Sequence, residues 1–263
     1  QMAMNKAVDL AAQFGTAQVM VRNSNHFGIA SEHALLATAQ GMVGWAMTNA
    51  SPLVAPAGSN KRILGTNPLC YAFPPGVNGL PWVLDMATSA AANGKLELAA
   101  AAGRAIPLGW ASDRSGQGTT NPKALQEGGA LLPLGSTMEG GVHKGYGLGA
   151  LVDLWSGLLS GASFGPWVPP FVDFLEPASN GPGPGIGHAF GALAIEALMG
   201  MQEYQERMDR WTQAFQEAGL VLHGMPEWEQ HRIRLRDGIP YTVEGQRALV
   251  DLGESLDLKA PGQ

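Results

Sequence analysis

The order of apolar and polar residues along the chain predicts alternating helices and strands. Residues 2–14 carry apolar side chains at helical spacing and stop at Gly15. Residues 30–40 repeat this pattern between Ser31, which could cap the helix, and Gly41, which ends it. A strand-like apolar run follows each helix, "AQVMVRNS" and then "GMVGWAMTNA". This alternation favours an α/β fold.

The middle of the chain continues the same pattern. "LCYAFP" and "PWVLDMA" read as two strands joined by a Pro/Gly loop, an arrangement that suits a hairpin. The segment "AAANGKLELAAAAG" is helix-prone, and a strongly apolar helix is predicted after Lys144. Residues 107–135 are rich in Gly, Pro, Asp and Ser and predict a long loop. A strand is expected in "AFGALAIEAL", and a charged helix, a polar helix and a short "GIPY" element close the chain.

Composition narrows the class of protein. Apolar residues make up 45% of the 263 residues and charged residues 14%, which predicts extensive burial in a core or between subunits. The net charge is −6 and no cluster of Lys and Arg is present, so nucleic-acid binding is not expected. Cys70 is the single cysteine, which excludes an internal disulfide. No signal peptide, membrane span or metal-ligand spacing is visible, so we expect a cytoplasmic protein without a metal site.

Four polar turns flank the predicted strands and could form one binding edge. They are "NSNH" (23–26), "TNAS" (48–51), "GTNP" (65–68) and "DMATS" (85–89). Asn, Thr, Ser and His at strand ends can present polar side chains along one rim of a sheet. The alternative is that these residues simply build turns, for which they are well suited.

A glycine-rich segment, "HKGYGLGAL", raises the question of a nucleotide site. It approaches the dinucleotide fingerprint, but no β-branched strand precedes it and no ribose-binding acid follows at the required distance, so an ordinary Rossmann fold is excluded. The segment still provides the N-terminus of a helix with Lys144 beside it, which is a suitable binding site for phosphate. Close helix packing through small residues explains the glycines equally well.

Read in order, the motifs resemble the malate/L-lactate dehydrogenase family of nicotinamide-dependent oxidoreductases. The resemblance is carried by "VRNSNHFG", "GMVGWAMTNASPLVAPAGS", "LGTNPLCYAFP", "PWVLDMATS", "IPLGWASDRSGQGTTNP", "LLPLGS", "HKGYGLGALVDLWSGLLSGA" and "GHAFGALAI". It implies a large mixed, mainly antiparallel sheet flanked by helices, which binds NAD or NADP without a Rossmann fold. It also implies a homodimer and reversible hydride transfer between NAD(P)H and a 2-oxo acid.

The same resemblance implies roles for particular residues. His26 in "SNHFG" corresponds to the family's acid/base, a role that imidazole suits because its pKa lies near neutral pH. Thr66 and Asn67 correspond to a turn that is expected to shape the substrate site or to contact the substrate. Positions corresponding to cofactor-lining segments are Asn49, Ala50, Ser51, Asp85, Met86, Ala87, Lys144 and Gly224. Gly224 lies in "HGMPEWE", where Met225 replaces the family's usual polar residue.

The resemblance also predicts a domain division and leaves alternative functions open. We expect a cofactor-binding and catalytic sheet domain over residues 16–200, with helical parts at 1–15 and 201–263 packed beside it. Family members carry an upstream segment with a second His-Gly motif and a carboxylate-binding arginine, and no counterpart precedes Gln1. The rest of the helical domain is therefore expected upstream. The leading function is a 2-hydroxy-acid dehydrogenase; the alternatives are a cyclic imino-acid reductase and an inactive nucleotide-binding remnant.

Overall fold

A computed structural model describes residues 1–259 of the chain, which divides into two units at Leu222. The first unit contains α1 (Met2–Phe14), β1 (Thr16–Ser24), α2 (Ala30–Thr38), β2 (Met42–Thr48), β3 (Leu69–Phe73), β4 (Trp82–Met86), α3 (Asn93–Ala101), β5 (Ala111–Ser112), β6 (Gly118–Thr119), β7 (Ala130–Leu131), α4 (Val142–Val152), β8 (Ile186–Ala194) and α5 (Met201–Glu217). A π-helical turn, Asp153–Leu158, extends α4. The second unit contains α6 (Met225–Asp237) and α7 (Val243–Ser255).

The main sheet has five strands in the order β1-β8-β2-β3-β4, and every neighbouring pair is antiparallel. A second, three-stranded sheet has the order β6-β5-β7. Helices flank the main sheet, so the predicted fold class, a mainly antiparallel sheet with helices beside it, is confirmed. An ordinary Rossmann fold would need parallel strands joined by helical crossovers.

The two faces of the main sheet are packed differently. On one face α1 and α2 contribute small side chains, among them Ala11, Ala34 and Ala37, which pack with Phe190. Gly44 of β2 permits this close approach, because a Cβ there would lie 2.2 Å from the carbonyl oxygen of Ala34. On the opposite face Met47, Leu69 and Ala189 pack against Val152 of α4.

The strand directions bring the four polar turns to one edge of the main sheet. Met20, Ala189, Met47, Leu69 and Met86 pair in register across the five strands. β1, β2 and β4 end just beyond this row, and β3 and β8 begin there. Turns 23–26, 48–51, 65–68 and 85–89 therefore lie side by side, as the sequence pattern predicts; together they are called the rim.

Several local predictions are corrected by the structure. Ser31 does not cap α2: the helix begins at Ala30, and the backbone N–H of Ser31 donates to Oδ2 of Asp85 at 2.8 Å. The segment 107–135 is not merely a loop, because it forms the three short strands of the second sheet. The "GIPY" residues connect α6 to α7 rather than forming an element of their own.

Within residues 1–259, no helix is both long enough and apolar enough to cross a membrane. Over the same residues, no three His, Cys, Asp or Glu side chains cluster closely enough to hold a metal ion.

Candidate active site at the rim

His26 lies exposed in the turn that follows β1. The backbone N–H of Gly28 donates to Nδ1 of the imidazole at 3.1 Å, and the His26 N–H donates to Oδ1 of Asn25 at 2.9 Å. Gly28 has a φ of 84°, a conformation that favours glycine. Because Nδ1 accepts a hydrogen bond, the neutral ring carries its proton on Nε2.

Phe27, the residue after His26, is held between two histidine rings. It stacks on His33 of α2 at 4.9 Å and on His188 of β8 at 4.7 Å between ring centroids. Nε2 of His33 also lies 3.0 Å from the backbone carbonyl oxygen of Phe27. Since that oxygen can only accept, the His33 nitrogen is the donor. The backbone beside His26 is thus fixed by aromatic packing and by a hydrogen bond.

His188 is only 2% exposed and is bonded to the end of β2. Its Nδ1 lies 2.7 Å from Oγ1 of Thr48, a hydroxyl that is also within reach of the carbonyl oxygens of Asn49 and Gly187. Thr48 therefore donates to a carbonyl and accepts from His188 Nδ1–H. Nε2 is buried and has no hydrogen-bond partner among the described residues. Burial lowers the pKa of His188 to about 4.

The side chains of Asn49 and Asn67, both predicted to contact a ligand, are buried and bonded to the protein itself. Asn49 donates to Oδ1 of Asp153 at 3.3 Å and to the carbonyl of Ser163 at 2.7 Å, and its Oδ1 accepts from the N–H of Gly187. Asn67 accepts from the N–H of Ala50 and donates to the carbonyl of Gly149. These two side chains hold the rim together, and any contact with a ligand would come from the backbone around them.

The remaining predicted rim residues differ in how far they are free to bind a ligand. Oγ of Ser51 is buried and accepts from the N–H of Phe171 at 2.7 Å. The carbonyl of Thr66 accepts from the N–H and the hydroxyl of Thr88. Asp85 is exposed and accepts from the start of α2. Ala50 and Ala87 are half-buried, and Met86 packs against the sheet.

Lys144 lies exposed in the first turn of α4. The adjacent Gly145 packs on Leu134, since a Cβ added to Gly145 would lie 2.3 Å from the carbonyl oxygen of Leu134. The N–H of Leu134 in turn donates to the carbonyl oxygen of Thr88. The N–H groups of Val142 and Lys144 already donate to the carbonyls of Thr137 and Gly141. Attraction for phosphate at this helix would therefore come mainly from the Lys144 ammonium.

Gly224 belongs to the second unit, where it precedes α6 with a φ of 88°. Its predicted contact with a cofactor stays a prediction.

Sequence reasoning assigned no role to His188, His33 or Asp153. Asp153 is buried at the start of the π-helical turn, where its Oδ2 accepts from the N–H of Gly165 at 2.8 Å. Burial raises the pKa of Asp153, while its hydrogen bonds from Gly165 and Asn49 act the other way. A histidine within the apolar "GHAFGAL" and an aspartate within "GALVDLWSG" are the signals that could have revealed two of them.

Two concavities lie elsewhere in the first unit. One of about 290 Å³ is lined by residues around the β5–β6 turn, including Asp113, Arg114 and Glu127. The other, about 410 Å³, lies between α1 and the end of β8. Neither is lined by a predicted site residue.

Comparison with known proteins identifies the family. The family description "Malate/L-lactate dehydrogenase" matches residues 1–249. The chain belongs to the malate/L-lactate dehydrogenase family. The malate dehydrogenase of Pyrococcus horikoshii is 40% identical over 90% of this chain and 66% of its own length. This chain therefore spans slightly less than two thirds of that relative.

Other members of the family extend the comparison. A Pseudomonas putida protein named Delta(1)-pyrroline-2-carboxylate/Delta(1)-piperideine-2-carboxylate reductase is 34% identical over 92% of this chain and 67% of its own length. A solved structure of malate dehydrogenase from Pyrococcus horikoshii superimposes with a TM-score of 0.81 at 36% identity. That match covers 98% of this chain and 70% of the solved chain.

Proposed function

We propose that the protein is an NAD(P)-dependent oxidoreductase that interconverts a 2-hydroxy acid and its 2-oxo acid, with His26 as the acid/base. The main support for the proposal is that His26 lies exposed at the edge of the sheet in a chain that belongs to this family. Among the described residues, Nε2 of His26 has no protein hydrogen-bond partner, so it is free to meet a substrate oxygen.

The reaction needs a proton to move at one oxygen while a hydride moves at the adjacent carbon. In reduction, the imidazolium form of His26 donates a proton from Nε2 to the carbonyl oxygen and becomes neutral with its remaining proton on Nδ1. In oxidation, Nε2 of that neutral form accepts the hydroxyl proton. Because Nδ1 carries a proton in both of these forms, the hydrogen bond that it accepts from the N–H of Gly28 must open for the reaction. Phe171, in edge contact with the imidazole at 5.6 Å, restricts its movement.

The rim and the N-terminal half of α4 are compatible with a dinucleotide. The ammonium of Lys144 would attract its phosphates. Ala50 and Ala87 are small and half-buried, and a Cβ at Gly147 would meet no atom within 4 Å, which leaves room beside α4. When bound, the nicotinamide ring supplies or accepts the hydride.

The proposal is tested by following NADH and NADPH absorbance with a panel of 2-oxo acids, including oxaloacetate, pyruvate and sulfopyruvate. His26→Ala should lower kcat by at least about 100-fold if general acid catalysis is lost. His231→Ala, at an exposed position on α6, is the matched control and should retain activity. Full turnover in the His26 variant would remove this residue from the mechanism.

Reduction of a cyclic imino acid is the second candidate, and the similarity to the Pseudomonas putida reductase favours it. Adding Δ1-pyrroline-2-carboxylate and Δ1-piperideine-2-carboxylate to the same panel separates the two reactions. A third possibility is that the protein binds a nucleotide without turnover. Quenching of tryptophan fluorescence by NADH with no turnover on any substrate would support it.

We propose that the protein forms a homodimer and that it is located in the cytoplasm. Leu148, Leu151, Leu154 and Leu158 recur at helical spacing along α4 and its π-helical turn and are at least 39% exposed, as expected of a subunit interface. The unpaired thiol of Cys70 is compatible with a reducing compartment. Light scattering coupled to gel filtration should give twice the monomer mass, and a Leu154→Glu variant should give the monomer mass.

A further inference from the structure

The Phe171 ring lies against the imidazole of His26 and stays partly open to solvent. The ring centroids are 5.6 Å apart and the ring planes meet at 73°. Phe171 therefore forms a side wall beside His26 and does not cover it as a parallel stacked ring would. The Phe171 side chain is 40% exposed, so part of an apolar ring faces outward beside the candidate acid/base.

The backbone on both sides of Phe171 is anchored. The N–H of Phe171 donates to Oγ of Ser51 at 2.7 Å, and Ser51 is only 3% exposed. Val168, on one side, is buried, and Val172 and Phe174, on the other side, pack against the hydrophobic core around α3 and the second sheet. The anchored backbone thus holds the Phe171 ring beside His26.

The position of this wall indicates which part of a 2-oxo acid it meets. A carbonyl that receives a proton from Nε2 of His26 has its oxygen about 3 Å from that nitrogen. The two groups on C2, the carboxylate and the C3 side chain, then lie near the imidazole as well. Among the residues that the structure describes, Lys and Arg lie over Phe174 and Trp110 but not over Phe171. A carboxylate against Phe171 would lose water without gaining a charged partner, so the C3 side chain is the group that fits there.

We propose that Phe171 is a specificity-determining residue, an inference that rests on the proposed function of His26. Its ring contacts the C3 side chain of the 2-oxo acid in the transition state. The contact favours an apolar chain, such as a methyl or ethyl group, over a chain that ends in an anionic group.

A purely structural role is the competing explanation, since single exposed apolar side chains are common on protein surfaces. A series of 2-oxo acids separates the two roles. Glyoxylate has a hydrogen in place of the C3 chain, 2-oxobutyrate has an ethyl group, and oxaloacetate carries a second carboxylate. A disturbed His26 turn would lower kcat/KM for all three acids, whereas loss of the wall affects only the acids that have a C3 chain.

The experiment compares kcat/KM for these acids in the wild type, Phe171→Ala and Phe171→Arg. In Phe171→Ala the value for 2-oxobutyrate should fall by about 10-fold or more, while that for glyoxylate should change by less than about 3-fold. In Phe171→Arg the ratio of oxaloacetate to 2-oxobutyrate should rise by at least about 10-fold, because the wall becomes a cation. Phe14→Ala, the same exchange at an exposed position at the end of α1, is the matched control and should leave every ratio unchanged.

An equal loss for glyoxylate and 2-oxobutyrate in Phe171→Ala, or unchanged ratios in both variants, would overturn the inference. Contact is also measured without turnover, in the presence of NAD⁺ or NADP⁺, which cannot reduce 2-oxobutyrate. Nuclear Overhauser effects should then connect the methyl group of bound 2-oxobutyrate with ring protons of Phe171, assigned by their loss in Phe171→Leu. Absence of turnover with this contact present would count against the proposed function and leave the inference standing. Turnover of 2-oxobutyrate without the contact would sink the inference alone.

Discussion

Acid should destabilise the protein through His188, the buried imidazole beneath the His26 turn. Burial lowers its pKa to about 4 in the native state, against 6.5 for a solvated histidine. The unfolded chain therefore binds a proton at this ring more readily than the native chain does. Stability falls as pH drops through about 6.5, and the loss is complete below about 4.

The size of the effect follows from the two pKa values. At about pH 5 the solvated ring is almost fully protonated, while the native ring is mostly neutral. The linkage relation then gives a loss of about 2 kcal/mol between about pH 7 and about pH 5 from this one group. That is a large fraction of the 5–15 kcal/mol that is typical of the stability of a folded domain.

His188→Asn isolates this contribution because asparagine does not titrate but can keep an N–H donor for Oγ1 of Thr48. Free energies of unfolding are measured by urea denaturation at both pH values for the wild type and the variant. The wild type should lose about 2 kcal/mol more than His188→Asn on acidification. The matched control is His143→Asn, the same exchange at an exposed position, which should track the wild type.

Equal losses in the wild type and His188→Asn would refute this account. They would mean that the imidazole of His188 either accepts a proton in the folded protein or is solvated there.

Three further predictions concern the packing of the main sheet and its rim. Asn67→Ala should cost about 3 kcal/mol in urea denaturation, because it leaves the N–H of Ala50 and the carbonyl of Gly149 without partners. A loss below about 1 kcal/mol would contradict this. Gly44→Ala should cost about 1–3 kcal/mol by the same assay, since its Cβ would clash with α2; native stability would count against the packing described. The buried Cys70 thiol, whose pKa is raised by burial and by Asp85, should react with Ellman's reagent only on unfolding. Rapid labelling of the folded protein would show that β3 is open.

The strands were predictable where apolar runs end in polar turns. β1 and β2 match their predicted segments to within one or two residues, because local alternation of residue types determines a strand. The predicted fifth strand starts three residues too late, at Ala189 instead of Ile186. Glycine and His188 interrupt the apolar run there, and only pairing with two neighbouring strands reveals that they belong to β8.

The candidate site was only partly predictable, because its hydrogen bonds join residues that are distant in sequence. The meeting of four turns at one edge follows from strand directions, and the position of His26 follows with it. The structural roles of Asn49 and Asn67 could not be predicted in this way. Asn49, for example, bonds to Asp153 and Gly187, which lie more than 100 residues away in the sequence. The capping of α2 by Asp85 is likewise a contact between segments 54 residues apart.

The central claim, hydride transfer at the rim with His26 moving the proton, is tested most directly by isotope transfer. NADH and NADPH carrying deuterium at C4 of the nicotinamide, each in both stereoisomers, are incubated with the wild type and an active 2-oxo acid. Mass spectrometry of the product should show one deuterium at C2 of the 2-hydroxy acid with one stereoisomer of the cofactor, and His26→Ala should form little product. Product without deuterium from either stereoisomer, or undiminished labelling by His26→Ala, would contradict the account.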